Sequence, residues 1–390
     1  MRHIGLGRCI PGVVLAALLF SCGGQQGAAG GHSVPDPTTA LNRSWAGYKQ
    51  GFIQGDGRVI DHANQDITTS EGQSYAMLRA AWMGDRPTFD RVWRWTQDNL
   101  RVRGDPLFAW KWGHSVSGAW TVLDRHSASD ADEDVALALI FASHQWGGDY
   151  LGPARATLDG VWAEDVARVQ GKPVLVAGDW AADTPSGAVV DPSYLAPGSY
   201  RVFAGADPTH PWSSLAASSY QVLHDCSTAG LGAGRSVGLP PNWCALGDGG
   251  ARSYAGQAKG GVYGYDAFRV MWRVALDAEW FGSGSARSYL SSMDFLTSQW
   301  KQHGHLAAEY GHDGKPLNGG RTDPTVYGGD VGLFAVTDQS AADSILHHQL
   351  LPSYQDQDGM VFWGSRTNYY EQNWVWFGVA LTSHHLPNLS

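Results

Sequence analysis

The sequence predicts an all-α fold closed into one toroid of helices, and three observations carry that prediction. Apolar residues recur at helical spacing over most of the chain, in segments divided by loops rich in Gly, Pro and Asp. Period-two alternation is scarce, its best instance being the short run 173–177. No segment repeats another in the manner of tetratricopeptide or ankyrin arrays, which favours a toroid over an open solenoid.

In chain order, the first stretch is a targeting segment rather than structure. Basic Arg2 and Arg8 precede an apolar run from Val13 to Phe20 that is too short to span a bilayer. Leu19-Phe20-Ser21-Cys22 resembles a bacterial lipoprotein box, in which Cys22 is lipidated and becomes the first mature residue. A plain secretory signal cleaved slightly later is the alternative. The expected organisation is a signal peptide at 1–21, a flexible Gly-, Gln- and Ser-rich tether at 22–38 and one folded domain at 39–390.

Candidate helices then cover 40–54, 71–84, 87–100, 131–145, 153–169, 211–224, 263–280, 285–302, 339–350 and 370–384. The helix at 71–84 follows "DITTSEGQSYAM". Thr68 stands three residues before Glu71, the capping-box spacing, and Tyr75, Leu78 and Trp82 follow on one face. Locally, Glu71 reads as a cap. The helix at 131–145 has Asp130, Asp132, Glu133 and Asp134 crowded at its front. One or two acids suit the positive end of a helix dipole, but four repel one another and call for a compensating cation or bound hydroxyls. Asp130, Asp132 and Asp134 also hold positions 1, 3 and 5 of a calcium loop, which fails because Val135 replaces the required Gly and Phe141 the bidentate Glu. In the helix at 263–280, Asp266 opens an apolar run with Arg269 one turn on. Such an Arg can hold a carboxylate ionised and oriented as a general base, and an ordinary surface pair has the same spacing. Residues 170–210, rich in Gly, Pro and aromatics, read as a long surface loop over a site.

Composition bounds the function. The 390 residues, 43% apolar, suffice for one large core, and no Pro-rich or charged linker divides the interior. A formal net charge of -10 argues against a nucleic-acid surface. Eighteen Trp and fifteen Tyr exceed what a core of this size usually needs, so although most are core, the excess points to a ligand groove, since aromatic faces stack on sugars and on apolar ligands alike. Cys226 and Cys244 are the only cysteines after the leader, and a disulfide between them would contribute about 3 kcal/mol in the chain-entropy model. No zinc-type spacing occurs, and the adjacent pairs His347-His348 and His384-His385 are poorly placed to chelate together, so no metal or other cofactor is expected.

The stretch "ASDADEDVALALIFASHQW" resembles the signature of glycoside hydrolase family 8, with Val135 where Ile or Met is usual. "TTSEGQSYAM", "DPLFAWKW", "DPSYLAPGSYRVFA", "GLPPNWC" and "GYDAFRV" are similar to further family stretches, spread over nearly the whole mature chain. The resemblance implies an (α/α)6 barrel, six inner helices ringed by six outer ones, with an open substrate groove at one end. It also implies cleavage of β-1,4-linked glycans with inversion. Glu71 then matches the general acid, Asp266 the general base and Asp130 the carboxylate that grips the sugar at the cleavage point. Trp110 matches a platform aromatic, Tyr265 and Arg269 match residues that position the base and its water, and Tyr194, Tyr200 and Tyr370 match groove positions. Glu71 can open a helix and still be the acid if that first turn faces the groove; its pKa should then be raised by aromatic surroundings.

The resulting expectation is an endo-β-1,4-glucanase acting on a polysaccharide as a monomer, touching a membrane only through its N-terminal lipid. Xylanase and chitosanase are the alternatives within the family. Asp266 favours glucan or xylan, whereas the acidic charge leans toward cationic chitosan. A non-catalytic glycan-binding lipoprotein would not need all three acids. A toroidal polysaccharide lyase would want a basic groove.

Overall fold

A computed structural model describes residues 35–257 and 259–390. Its first helix, α1 (Pro37–Phe52), begins where the sequence has a cap: Asp36 accepts the Thr39 N–H at 3.0 Å, and proline takes the first helical position. It is followed by α2 (Ser70–Trp82), α3 (Arg86–Leu100), α4 (Ser129–Trp146), α5 (Leu151–Gly160), α6 (Pro197–Ala206) and α7 (Trp212–Thr228). The second half holds α8 (Arg269–Phe281), α9 (Gly284–Ser291), α10 (Asp294–His303), α11 (Pro324–Thr337), α12 (Gln339–Ile345) and α13 (Tyr369–Thr382).

Helices α2, α4, α6, α8, α11 and α13 each pack on the next, and α13 returns to α2. Outside that ring α3, α5, α7, α9, α12 and α1 each lie chiefly against one inner helix, α9 reaching from α8 onto α11. This is the expected (α/α)6 barrel. An inner helix is enclosed by two ring neighbours and an outer partner, so it needs no polar stripe, and every residue from Ser129 to Ala142 of α4 is buried. Tyr75, Trp272, Trp374 and Phe377 interlock at the centre with centroids 5.1–5.8 Å apart, edge-to-face except for the tilted Trp272–Phe377 pair.

Three of the expected elements change. The helix expected at 153–169 ends as α5 and one wider turn, because the chain enters a hairpin. The stretch expected at 285–302 is two helices, broken at Ser292 and Met293. The surface loop expected at 170–210 is largely buried and contains the inner helix α6. Helix α11 has no counterpart among the expected elements. Its "PTVYGGDVGLFAVT" is buried from Thr325 to Phe334, and Gly328 lies so close to α13 that a Cβ there would meet the Trp374 carbonyl oxygen at 2.1 Å. The tether expected to reach residue 38 gives way to α1 at Pro37, and Cys22 and the leader lie outside the described residues.

Four small antiparallel sheets fill the connections. The first joins β1 (Thr68–Thr69), β2 (Lys111–His114) and β3 (Trp120–Asp124); the second is the hairpin β4 (Val166–Val169) and β5 (Lys172–Leu175). The third orders β6 (Ala188–Val190), β7 (Cys244–Gly247) and β8 (Gly250–Arg252), and the fourth β9 (Tyr354–Gln357) and β10 (Met360–Trp363). β1 runs directly into α2, and β6 leads toward α6. Cys226 of α7 and Cys244 of β7 are disulfide-bonded. No helix among the described residues is long and apolar enough to cross a membrane.

Candidate active site

Each outer helix returns the chain to the end where the next inner helix begins, so the inner-helix N-termini meet at one end of the barrel. Glu71 is the second residue of α2, Asp130 the second of α4, Arg269 the first of α8 and Tyr369 the first of α13. Asp191 directly follows β6, ahead of α6. The ends of five inner helices thereby deliver charged and phenolic groups to one place.

Arg269 is the hub. Its Nη1 donates to Glu71 Oε2 at 3.0 Å and to Asp130 Oδ2 at 3.3 Å. Its Nη2 donates to Asp191 Oδ2 at 3.2 Å and to Asp266 Oδ1 at 3.1 Å, and its Nε to the Asp266 carbonyl at 3.2 Å. The acid and base oxygens hang on the two terminal nitrogens of one planar guanidinium, so they lie no more than about 8 Å apart, short of the roughly 9.5 Å upper limit of an inverting pair. The Glu71 side chain keeps 20% of its surface open and that of Asp266 37%, while Asp130, Asp191 and Arg269 are closed off.

The capping expectation for Glu71 fails by one residue. Thr69, not Thr68, caps α2 by accepting the Gly72 N–H at 3.0 Å; the Thr68 hydroxyl instead donates to the Val59 carbonyl. Glu71 is thereby free for other work, and its Oε1 accepts the Tyr369 hydroxyl at 2.6 Å. Burial pushes its carboxyl above the ordinary range, against the pull of Arg269 and Tyr369. Burial likewise brings Asp130 up to about 7, with Arg269 opposing. Asp191 is raised by burial and by the Asp266 carboxylate beside it.

Asp266 precedes α8 by one turn rather than opening it. Asn242 Oδ1 accepts its backbone N–H at 3.2 Å and that of Ala267 at 3.0 Å, and the Trp243 indole donates to Asp266 Oδ2 at 3.2 Å. The other acids of α4 are core groups. Arg273 grips Asp134 with both terminal nitrogens, Asp132 accepts the Phe108 N–H at 3.0 Å, and Glu133 has no protein hydrogen-bond partner among the described residues. Burial holds Asp132 and Glu133 well above the carboxylate range. The compensating cations expected for this cluster are therefore Arg269 and Arg273.

The profile of glycosyl hydrolases family 8 matches residues 28–379. The chain belongs to that family. An endoglucanase of Xanthomonas axonopodis pv. citri (strain 306) is 38% identical over 241 residues, 60% of each chain. Two solved structures share the family 8 fold at lower identity. An endo-1,4-D-glucanase from Vibrio fischeri ES114 has a TM-score of 0.71 and 23% identity, covering 86% of this chain and 93% of that one. A cold-adapted family 8 xylanase has a TM-score of 0.72 and 20% identity, covering 90% and 92%. The chain spans 57–64% of the length of the first curated relatives it matches.

In this family 8 barrel the remaining expected residues divide. Trp110 and Tyr194 line a cavity of about 440 Å³ with Trp180 and Trp243, and the Tyr194 ring lies 5.2 Å from the Arg269 guanidinium carbon. Tyr265 is exposed and donates its hydroxyl to Asp323; Tyr370 donates to the Tyr265 carbonyl at 2.6 Å. Tyr200 is not in the groove. It is fully buried and stacks on Trp212, because α6 is an inner helix and turns that residue into the wall. Arg269, expected to position the base, does donate to Asp266, but at 2% exposure and with its donors committed to carboxylates it organises the site from beneath and touches no substrate.

Asp191, Tyr369, Trp180, Trp243 and Asn242 escaped the sequence reading. Asp191 did carry a signal, a lone acid between the apolar "AVV" and "PSY". His347 and His348 are exposed, and the one group of three candidate metal ligands among the described residues is Asp159, Asp207 and His210. Both Asp207 oxygens there already accept hydrogen bonds, from Thr209 and Trp212.

Proposed function

We propose that this chain is an inverting endo-glycosidase that cuts β-1,4-linked glucan. The observation that carries it is the pairing of Glu71 and Asp266 through the two ends of one guanidinium, both side chains keeping an open face. Breaking an acetal requires a proton on the leaving oxygen while positive charge grows at the ring carbon. Glu71, raised by burial, supplies that proton. Asp266 accepts one from the water that attacks the opposite face, and Arg269 and the Trp243 indole hold the base in line. Asp130 shares Arg269 Nη1 with Glu71 and, itself closed off, helps hold that nitrogen beside the acid. Trp110, Trp180 and Trp243 offer faces for stacking on pyranose rings. Glucan is the substrate we favour because the relatives at higher identity carry the name endoglucanase.

The test is to incubate the purified chain with carboxymethyl-cellulose, mixed-linkage β-glucan, xylan and chitosan, measuring new reducing ends and the anomeric form of the first product by proton NMR. Release from the glucans with the α-anomer first is expected. No release from any polymer, or the β-anomer first, would overturn the proposal.

From the leader sequence we further propose that Cys22 anchors the mature, monomeric protein to a bacterial membrane surface. Mass spectrometry of the mature N-terminus should find a diacylglyceryl group on Cys22; an unmodified start further along would refute the anchor.

A further inference from the structure

Four carboxylates share Arg269, and one of them has no evident reason to be there. Asp191 is fully buried at the end of β6, where neighbouring Val190 pairs with Cys244 of β7. Its Oδ1 accepts the Ser193 N–H at 2.8 Å and the Ser193 hydroxyl at 2.6 Å, so the carboxylate is held from behind. Its Oδ2 meets the same Arg269 nitrogen that serves Asp266.

Burying a carboxylate against a cation that already has three other anionic partners is costly. With no exposed surface Asp191 cannot touch a sugar, so its contribution must act through Arg269. Glu71 and Asp130 draw Nη1 toward α2 and α4, and Asp191 draws Nη2 the other way. Without that counter-pull the guanidinium is free to swing toward Asp130, and the exposed Asp266 loses its anchor.

We propose that Asp191 is a positioning residue, which from its buried seat fixes the Arg269 guanidinium in the orientation that joins the acid to the base. The proposal rests on the acid and base roles given above. It carries an electrostatic consequence. The charged groups facing Arg269 are Glu71, Asp130, Asp191 and Asp266, with the phenols of Tyr75, Tyr194 and Tyr370 around them. Arg269 and the two Ser193 donors pull Asp191 toward its charged form against the cost of burial, and replacing it by a neutral amide leaves more of the cation's field for Glu71, which then gives up its proton at lower pH.

Asp191→Asn tests this. Turned one way the amide sets an N–H against Arg269, and turned the other way it sets one against the Ser193 N–H and leaves the guanidinium only a neutral oxygen, so the charged anchor is lost without a change of size. In the whole chain, kcat on carboxymethyl-cellulose should fall on the order of 10²-fold. KM should stay within about twofold, and the alkaline limb of the kcat–pH profile should move to lower pH by about half a unit or more. A mere packing role would lower the melting temperature and leave that limb in place. Should the variant not fold, Ser193→Ala carries the test: it keeps the charge, loses one orienting donor, and should lower kcat about tenfold at unchanged KM. Asp266→Asn, run alongside, separates the two ideas. If it retains wild-type turnover, the acid–base reading fails. If it is inactive while folded Asp191→Asn, or Ser193→Ala, turns over like the wild type, only the role of Asp191 falls.

Discussion

Glu71→Gln removes the proton donor while preserving shape, and the structure sets how large the loss should be. General acid catalysis contributes about 10²–10⁴-fold, or roughly 3–5 kcal/mol of barrier. The neighbours that could substitute are poorly suited. The Tyr369 phenol, which donates to Glu71, is pushed well above its ordinary value by burial and by the Glu71 charge, so it holds its proton at neutral pH. Asp130 is raised to about 7 but is 2% exposed and turned to Arg269. The introduced amide would also set an N–H against Arg269 Nη1 if its oxygen kept the Tyr369 bond. The loss on polymer should therefore fall in the upper half of that range, at about 10³–10⁴-fold. The discriminating assay compares kcat/KM on carboxymethyl-cellulose with that on a dinitrophenyl β-cellobioside, whose leaving group departs without protonation. Glu71→Gln should lose activity on the polymer and retain most of it on the aryl glycoside; Asp266→Asn should lose both. Hydrolysis of polymer by Glu71→Gln at near wild-type rate, or equal losses on the two substrates, would refute the assignment.

Arg273→Met leaves Asp134 buried and unpaired and should destabilise the fold by about 3–5 kcal/mol, most of it recovered when Asp134→Leu is added; denaturant titration measures both. Trp180→Ala removes a stacking face from the cavity and should raise KM on β-glucan about fivefold, roughly 1 kcal/mol, with kcat retained. Stability should fall with rising pH. Burial raises Asp130 and Asp330 to about 7 and Asp165 to about 8, so between about pH 4 and these values the folded chain binds more protons than the unfolded one. The stability they contribute is fully present below the unfolded carboxylate range and is lost as pH rises through about 7–8. The melting temperature should drop from about pH 5 to about pH 8.5, and a rise over that window would refute the sign.

The ring of helices was legible wherever a helix has a wet side: the amphipathic stretch of α1 after residue 40 and the "RPTFDRVWRW" of α3 announce themselves. Inner helices offer less, since a segment enclosed on every side has no polar stripe to set a period. α4 was found through its acids; α11 has Asp323 as a cap and Pro324 at its first position, but its glycines read as loop when they are in fact what lets it touch α8 and α13. The site was legible where chemistry and helix start coincide, as at Glu71 and Asp130. Tyr369 was missed by one position, because two adjacent tyrosines begin α13 and only the three-dimensional turn shows that the first faces Glu71 while the second faces Tyr265. Tyr200 failed for the converse reason: a motif aromatic was assigned to the groove, but the motif belongs to a helix whose other face is the wall.

The Cys226–Cys244 bond has a reach beyond the loop it closes. Asn242 and Trp243, the two residues ahead of Cys244, are the ones that hold Asp266, and through Val190 the same strand steadies the turn that carries Asp191. A covalent staple from an outer helix thus ends at the foot of the proposed water-activating carboxylate. The ring itself is built from packing and would survive without the staple. Opening the bond would therefore loosen the hold of Asn242 and Trp243 on Asp266 before it loosened the ring.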